Sequence, residues 1–324
     1  MVTPLDGLVG QGRALFLLRG YLASGRVPTG LLFFGEEGIG KETAAAAFAA
    51  ALLCRAPSPR GACGVCADCR VAARGGHPNL LRLAPEGAFL RIEEVRALRE
   101  ELSLAAFSDR PRAVLVVPAD RMTVQAANAL LKTLEEPPRG THFLLVAHRL
   151  SRVPPTIVSR CQKIPFSPLS LGEVERILRA LPGVAARHGP EALRAAAACA
   201  GGSPGRALAL LAEPSADREA WLRLLADPRP GEIVRAAEAF KGSGEQAVRL
   251  AVPLALVRDA ALLSRAPNAA IMNEDRREAL TALSAGRSAA RWTGALRTLL
   301  SVSRASPQAQ KRLLVEAFLF DLAR

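Results

Sequence analysis

Residues 29–54, TGLLFFGEEGIGKETAAAAFAAALLC, constrain the fold more than any other stretch. A short apolar run ends in glycine, a glycine-rich loop follows, and a strong helix former starts at Lys41. Gly35, Gly40 and Lys41 match the phosphate-loop spacing G-x-x-x-x-G-K, with Gly38 inside it. Such glycines let backbone N–H groups turn inward around phosphate oxygens. The lysine and the helix N-terminus add positive charge. A glycine-rich turn before an ordinary helix would share the composition, but the strand–loop–helix order favours a phosphate cradle.

The alternation continues. RAVLVVPAD (112–120) and THFLLVAH (141–148) read as buried strands. Between them TVQAANALLKTLEE (123–136) reads as an amphipathic helix stopped by Pro137 and Pro138, with Val124, Ala127, Leu131 and Leu134 on one face. Strands alternating with helices imply an α/β parallel sheet with helices on both faces. After CQKIPFSPLS (161–170) the pattern is helical. It is punctuated at GGSPG (201–205), EPSAD (213–217) and ADPRPGE (226–232), and the alanine-rich tract 192–200 reads as helix. Boundaries are therefore expected near 166 and 213. A length of 324 residues suits two or three domains.

The loop lacks the parts that hydrolyse a nucleotide. The position after the lysine normally carries a hydroxyl that ligates magnesium, and here it is Glu42. Thr43 comes one residue late, about 100° round the helix. At the end of the 112–120 strand, where a magnesium carboxylate and a general base are needed, the chain has Pro118 and Ala119. Asp120 follows too late. Three absences together argue against hydrolysis, since each ~1.4 kcal/mol of barrier is tenfold in rate.

Cys54, Cys63, Cys66 and Cys69 are spaced C-x8-C-x2-C-x2-C. Four thiolates at this density read as one structural zinc site, stapling a loop too small to own a core. The first ligand ends a helix and the other three sit on a tight loop. An iron–sulfur cluster or unligated thiols are the alternatives, and the C-P that closes ferredoxin patterns is missing. Cys161 and Cys199 are isolated, with burial as small hydrophobes expected for both. His77 reads as a turn residue, and His148 has no assigned role. Trp221 and Trp292 are expected between helices. In LRIEEVRALREEL (90–102), Glu and Arg at helical spacing predict a solvated face.

Net charge is +13, from 43 basic and 30 acidic residues. Only five of the basic residues are lysine, and the excess is spread along the chain, which fits a coding bias toward arginine as well as proximity to a polyanion. No interleaved aromatic pattern for stacking bases is present, and the chain has a single tyrosine, Tyr21. No run of eighteen apolar residues exists and the first residues do not form a signal peptide, so a cytoplasmic protein with no membrane partner is expected.

ANALLKTLEEPP (127–138), SRC (159–161), the phosphate loop and the cysteine module, in this order, resemble the bacterial clamp-loader subunits of DNA polymerase III, an AAA+ family. The likeness is strong over the first ~210 residues. Beyond them it rests on length, helicity and the closing SPQAQKRLLVEAFLFDL. It implies an AAA+ module at 1–165 with an embedded zinc module at 54–69, a small helical lid at 166–213 and an all-α collar domain at 214–324. Family ATPases of the gamma and tau type keep the loop hydroxyl and an acidic pair after the strand. This chain keeps neither, so the resemblance implies a stator that binds nucleotide weakly or not at all. A gamma/tau-like ATPase with atypical loops is the alternative, and a free-standing zinc-dependent nucleic-acid-binding protein is a third.

In the family the arginine of SRC reaches the neighbouring ATPase's γ-phosphate, so Arg160 is implied to be an arginine finger in trans, with Ser159 and Cys161 packing and positioning it. Local chemistry alone reads Arg160 as a surface arginine or salt-bridge partner. The implied partners are the gamma/tau ATPases and the delta subunit, primed DNA within the complex, and the sliding clamp indirectly or weakly. Ala147 and His148 occupy a position where ATPase relatives carry a polar sensor. Gly205 stands where they carry a sensing arginine, with Arg206 offset by one. LVGQ (8–11) resembles a box near the adenine pocket.

Overall fold

Five strands make the sheet, and the three interior ones bury nearly everything they carry. The five are β1 (Gly30–Phe34), β2 (Leu80–Leu83), β3 (Arg112–Val116), β4 (Thr141–Ala147) and β5 (Gln162–Pro165). In the structure, a computed structural model, they form one parallel sheet in the order β2-β3-β4-β1-β5. The description covers residues 4–103, 111–212, 218–240, 249–304 and 310–323. By internal contacts the chain divides into Met1–Leu169 and Ser170–Arg324.

Side chains alternate across each strand, so one strand feeds two cores. Leu31, Phe33, Leu144 and Val146 face α1 (Gly12–Ser24) and α2 (Lys41–Leu53), which add Leu15, Leu18, Ala45 and Phe48. The short α3 (Ala67–Ala73) belongs to the cysteine module. Leu32, Val114, Val116, Phe143 and Leu145 face α4 (Ile92–Ser103) and α5 (Val124–Glu135), which add Val95, Leu98, Leu102, Ala127 and Leu130. Covering both faces requires the near-continuous apolar runs of β1, β3 and β4.

One detail differs from the pattern expected. The buried face of α5 is Ala126, Ala127, Leu130, Thr133 and Leu134, while Val124 is 71% exposed. Thr123 caps the helix by accepting from the Ala126 amide at 3.2 Å, which places Val124 in the first turn facing outward. The last strand falls inside the 161–170 stretch after which a helical pattern was expected: β5 pairs with β1 from Leu31↔Gln162 to Phe34↔Pro165. Beyond β5, Phe166 stays with the first unit, its ring 6.1 Å from that of Phe33.

The second unit is helical among the described residues. It contains α7 (Leu171–Ala180), α8 (Pro182–Ala185), α9 (Pro190–Cys199), α10 (Pro204–Ala212), α11 (Arg218–Ala226) and α12 (Pro230–Glu238), preceded in the first unit by α6 (Pro155–Val158). It ends with α13 (Ala251–Leu263), α14 (Arg277–Ala285), α15 (Ala289–Arg304) and α16 (Lys311–Ala323). Ser170 and Glu173 form a capping box at its start. Trp221 and Trp292 are buried, as expected, and Cys199 is buried on α9. A buried polar network ties the unit together. Asp259 accepts from both the backbone and side-chain nitrogens of Asn273 at 2.8 Å, and Arg218 forks onto Asp275 at 3.0 and 2.6 Å. The boundary expected at EPSAD (213–217) lies outside the described residues, as does the beginning of SPQAQKRLLVEAFLFDL.

Candidate functional site

The phosphate loop joins the carboxyl end of β1 to α2, between strands where a parallel sheet leaves a crevice. Gly38 and Gly40 take left-handed φ values of 76° and 93°, which a side chain would strain. At Gly35 an added Cβ would lie 2.5 Å from the Phe166 carbonyl oxygen. Gln11 locks the loop's far side. Its amide nitrogen donates to the Ser167 carbonyl at 2.7 Å, and its oxygen accepts from the Ser167 amide at 3.0 Å. The loop's glycines thus hold backbone positions that a side chain would strain or block.

Its side chains are turned to other uses. Lys41 is 3% exposed, and its Nζ donates back to the Glu36 carbonyl. Burial lowers its pKa to about 8, against the pull of the Glu37, Asp120 and Glu36 carboxylates. Glu42 points away from the loop to Arg82 of β2, at 2.7 Å. Ala119 is buried and Pro118 offers no side-chain oxygen, so β3 ends without a ligand for magnesium. Asp120 is near enough to act on Lys41, but its two oxygens accept from the backbone amides of His148 and Arg149, at 2.9 and 3.2 Å. It closes the end of β4. His148 is half-buried, and burial and the Lys41 charge lower its pKa. An arriving triphosphate would meet the exposed carboxylates of Glu36 and Glu37 at the loop itself.

Arg160 lies at the other end of the sheet. An added Cβ on Gly30, the first residue of β1, would sit 3.2 Å from the Arg160 carbonyl oxygen and 2.9 Å from Cys161 Sγ. The phosphate loop begins after the last residue of β1, so five residues at ~3.3 Å each separate the two places by roughly 16 Å. The guanidinium is held by its own unit. Nη2 pairs with Glu135 Oε1 at the end of α5, and Nη1 donates to the Thr156 carbonyl at 3.1 Å and to Ser159 Oγ at 3.4 Å. Cys161 is buried in the core beneath, and burial pushes its thiol up to about 12. The local reading of Arg160 as a salt-bridge partner thus describes its state in this chain. Glu135, its partner, lies in the LKTLEEPP stretch, but 25 residues separate it from Arg160 and nothing in the sequence pairs the two.

The four cysteines converge. Their sulfurs all lie within 4.8 Å of one another, and Cys63 and Cys69 are 3.9 Å apart. A tetrahedral Zn²⁺ with bonds of ~2.3 Å sets its sulfurs about 3.8 Å apart, so the cluster fits a four-thiolate metal site. Cys54 caps the C-terminus of α2, and its sulfur accepts from the Cys63 amide at 3.2 Å and the Ala56 amide at 3.4 Å. These N–H···S contacts favour the thiolate, though burial outweighs them and pushes the Cys54 thiol up. Cys66 and Cys69 are not on a loop: Cys66 is the N-cap of α3 and its sulfur accepts from the Cys69 amide at 3.4 Å. One turn of helix presents both. Asp68 on the same turn pairs with Arg55 at 2.9 Å and faces His77 Nε2 at 3.6 Å. His77 is buried, with Nδ1 accepting from the Asn79 amide at 3.1 Å. It braces the module from behind.

A five-stranded parallel sheet in this order, with a glycine loop between β1 and α2, defines a P-loop module of the AAA+ type. Residues 10–170 match the family described as DNA polymerase III, delta subunit. The delta' subunit of Pseudomonas aeruginosa DNA polymerase III is 44% identical over 177 residues, 53% of this chain and 52% of that one. The tau subunit of Escherichia coli is 32% identical over 204 residues, 63% of this chain and 32% of that one. A gamma subunit-related protein of known structure from Thermotoga maritima is 15% identical and covers 96% of this chain and 98% of that one, with a TM-score of 0.45, too loose to add to the topology. The chain belongs to the clamp-loader subunits of DNA polymerase III, and among them to the delta-prime type. The matched part spans about half the length of the delta' relatives. Among the described residues no helix is long and apolar enough to cross a membrane.

Proposed function

We propose that this chain is a stator subunit of a clamp loader. It hydrolyses no ATP itself and supplies Arg160 to the triphosphate held by a neighbouring gamma/tau-type ATPase. One observation carries the reading: the arginine and the chain's own phosphate loop lie at opposite ends of β1, roughly 16 Å apart. An arginine side chain does not cross that distance, so any triphosphate Arg160 touches is bound by another subunit. A guanidinium there neutralises charge that grows on the transferring phosphate, with a planar fork that lysine lacks.

The chain's own cleft supports the same reading. Lys41 is engaged with Glu36, Glu42 with Arg82, and Asp120 with backbone amides. The glycine cradle keeps its shape without a grip on magnesium. Weak, metal-free nucleotide binding is the most this arrangement offers.

In this reading 1–165 is the AAA+ module, 166–213 the lid and 214–324 the collar domain that joins the gamma/tau and delta subunits. Primed DNA and the sliding clamp are met within the assembly. Zinc held by Cys54, Cys63, Cys66 and Cys69 supplies a structural crosslink with no open position for chemistry.

The gamma/tau-like ATPase reading draws on the tau likeness, and it requires turnover by the chain alone. The test is direct. The isolated chain with Mg-ATP is expected to show no turnover above buffer, and its addition to gamma/tau and delta is expected to raise DNA-stimulated hydrolysis. Magnesium-dependent turnover by the lone chain would overturn the stator reading.

A further inference from the structure

The Glu135–Arg160 pair has a consequence for how the finger is deployed. Pro137 and Pro138 end α5, so Glu135 falls in the last helical residue, where the helix dipole is negative. Arg160 lies against that end. Its guanidinium is thus drawn by a carboxylate, by the partial charge of the helix terminus, and by the Thr156 carbonyl. All three pull it toward its own subunit.

The pair is also open. Arg160 and Glu135 are 39% and 42% exposed, at a depression of about 560 Å³ whose other lining residues, among them Pro28, Thr29 and Gln162, are uncharged. While the pair is closed the depression is neutral. A polyphosphate presented there offers the guanidinium a second anion of higher charge, and Glu135 on release turns to water rather than being stranded in a core.

We infer that Glu135 is a positioning residue that latches Arg160 against its own subunit and gives it up to a neighbour's triphosphate. This rests on the proposed role of Arg160 in trans. The strength of the latch follows from its exposure. Half-exposed ion pairs are worth ~0–1 kcal/mol, which converts to a factor of up to about fivefold in the docked population. Such a pair biases the resting state without blocking the active one.

The experiment uses the reconstituted complex with gamma/tau and delta. It compares wild type, Glu135→Gln, Glu135→Asp, Arg160→Ala and the double variant Glu135→Gln/Arg160→Ala. For Glu135→Gln, hydrolysis without DNA is expected to rise about two- to fivefold, and the KM for ATP to fall, with kcat at saturating DNA and ATP unchanged. Glu135→Asp is expected to restore wild-type behaviour in part. In the Arg160→Ala background Glu135→Gln is expected to change nothing. A merely structural glutamate would not raise the unstimulated rate or show that dependence on Arg160. The latch is overturned if Arg160→Ala lowers hydrolysis while Glu135→Gln leaves the unstimulated rate and KM unchanged, or lowers the rate as well. If Arg160→Ala has no effect, the finger role fails first and the latch with it, so the two failures are distinguishable.

Discussion

If the cysteine module holds zinc as proposed, removing the ion should destabilise the first unit by an amount set by the chain it closes. Cys54 and Cys69 bound a sixteen-residue span, and Cys54 caps α2, the helix that begins at the phosphate loop. Closing a loop of that length removes about 3 kcal/mol of unfolded-chain entropy. For a unit of this size, each kcal/mol moves the melting midpoint by ~2–4 °C, so a fall of about 6–12 °C is expected. The assay is calorimetry of the reduced chain with and without a strong zinc chelator, beside the variant Cys69→Ser, with metal content measured per chain. One zinc per chain is expected in the wild type, and its loss on chelation should bring the drop. The zinc account fails if the wild-type chain contains iron instead. An unchanged midpoint after verified zinc removal would refute the crosslink argument.

Lys41 gives a pH prediction of definite sign. Its folded pKa is lowered to about 8 by burial, from 10.5, so between those values the unfolded chain holds more protons than the folded one. Stability therefore rises with pH across that window, by on the order of 1–3 kcal/mol relative to Lys41→Met, which denaturant unfolding at pH 8 and pH 10 measures. Gly30→Ala places a Cβ 2.9 Å from Cys161 Sγ, which is buried in the core, and 3.2 Å from the Arg160 carbonyl. It should cost ~1–3 kcal/mol and weaken partner-ATPase stimulation, and wild-type stability in that variant would contradict the packing described.

The central sheet was legible where burial is two-sided. β1, β3 and β4 are interior strands whose apolar runs leave little alternative. β2 and β5 form the edges, are four residues long, and carry exposed Arg82, Gln162 and Lys163, so no continuous apolar run marks them in the sequence. The cysteine spacing announced its cluster because the ligands are local, whereas the seven-residue α3 that carries Cys69 and is capped by Cys66 is too short to show periodicity. Val124 was misplaced because an apolar residue in a first turn fits a helical stripe on paper, while the Thr123 cap turns it to solvent. The missing groups at Glu42, Pro118 and Ala119 were readable position by position. What filled their places was not: the Glu42–Arg82 pair spans 40 residues, and the Asp120 bond to the His148 amide spans 28. Such contacts exist only once the sheet has brought the strand ends together.

The most direct measurement is single-turnover ATP hydrolysis in a reconstituted complex where the ATPase beside this subunit is the one site left competent, comparing wild type with Arg160→Ala. The account predicts a loss of tenfold or more in the rate at that site, with the complex still assembled and ATP still bound. An assembled complex that hydrolyses at the wild-type rate without the Arg160 guanidinium would contradict it.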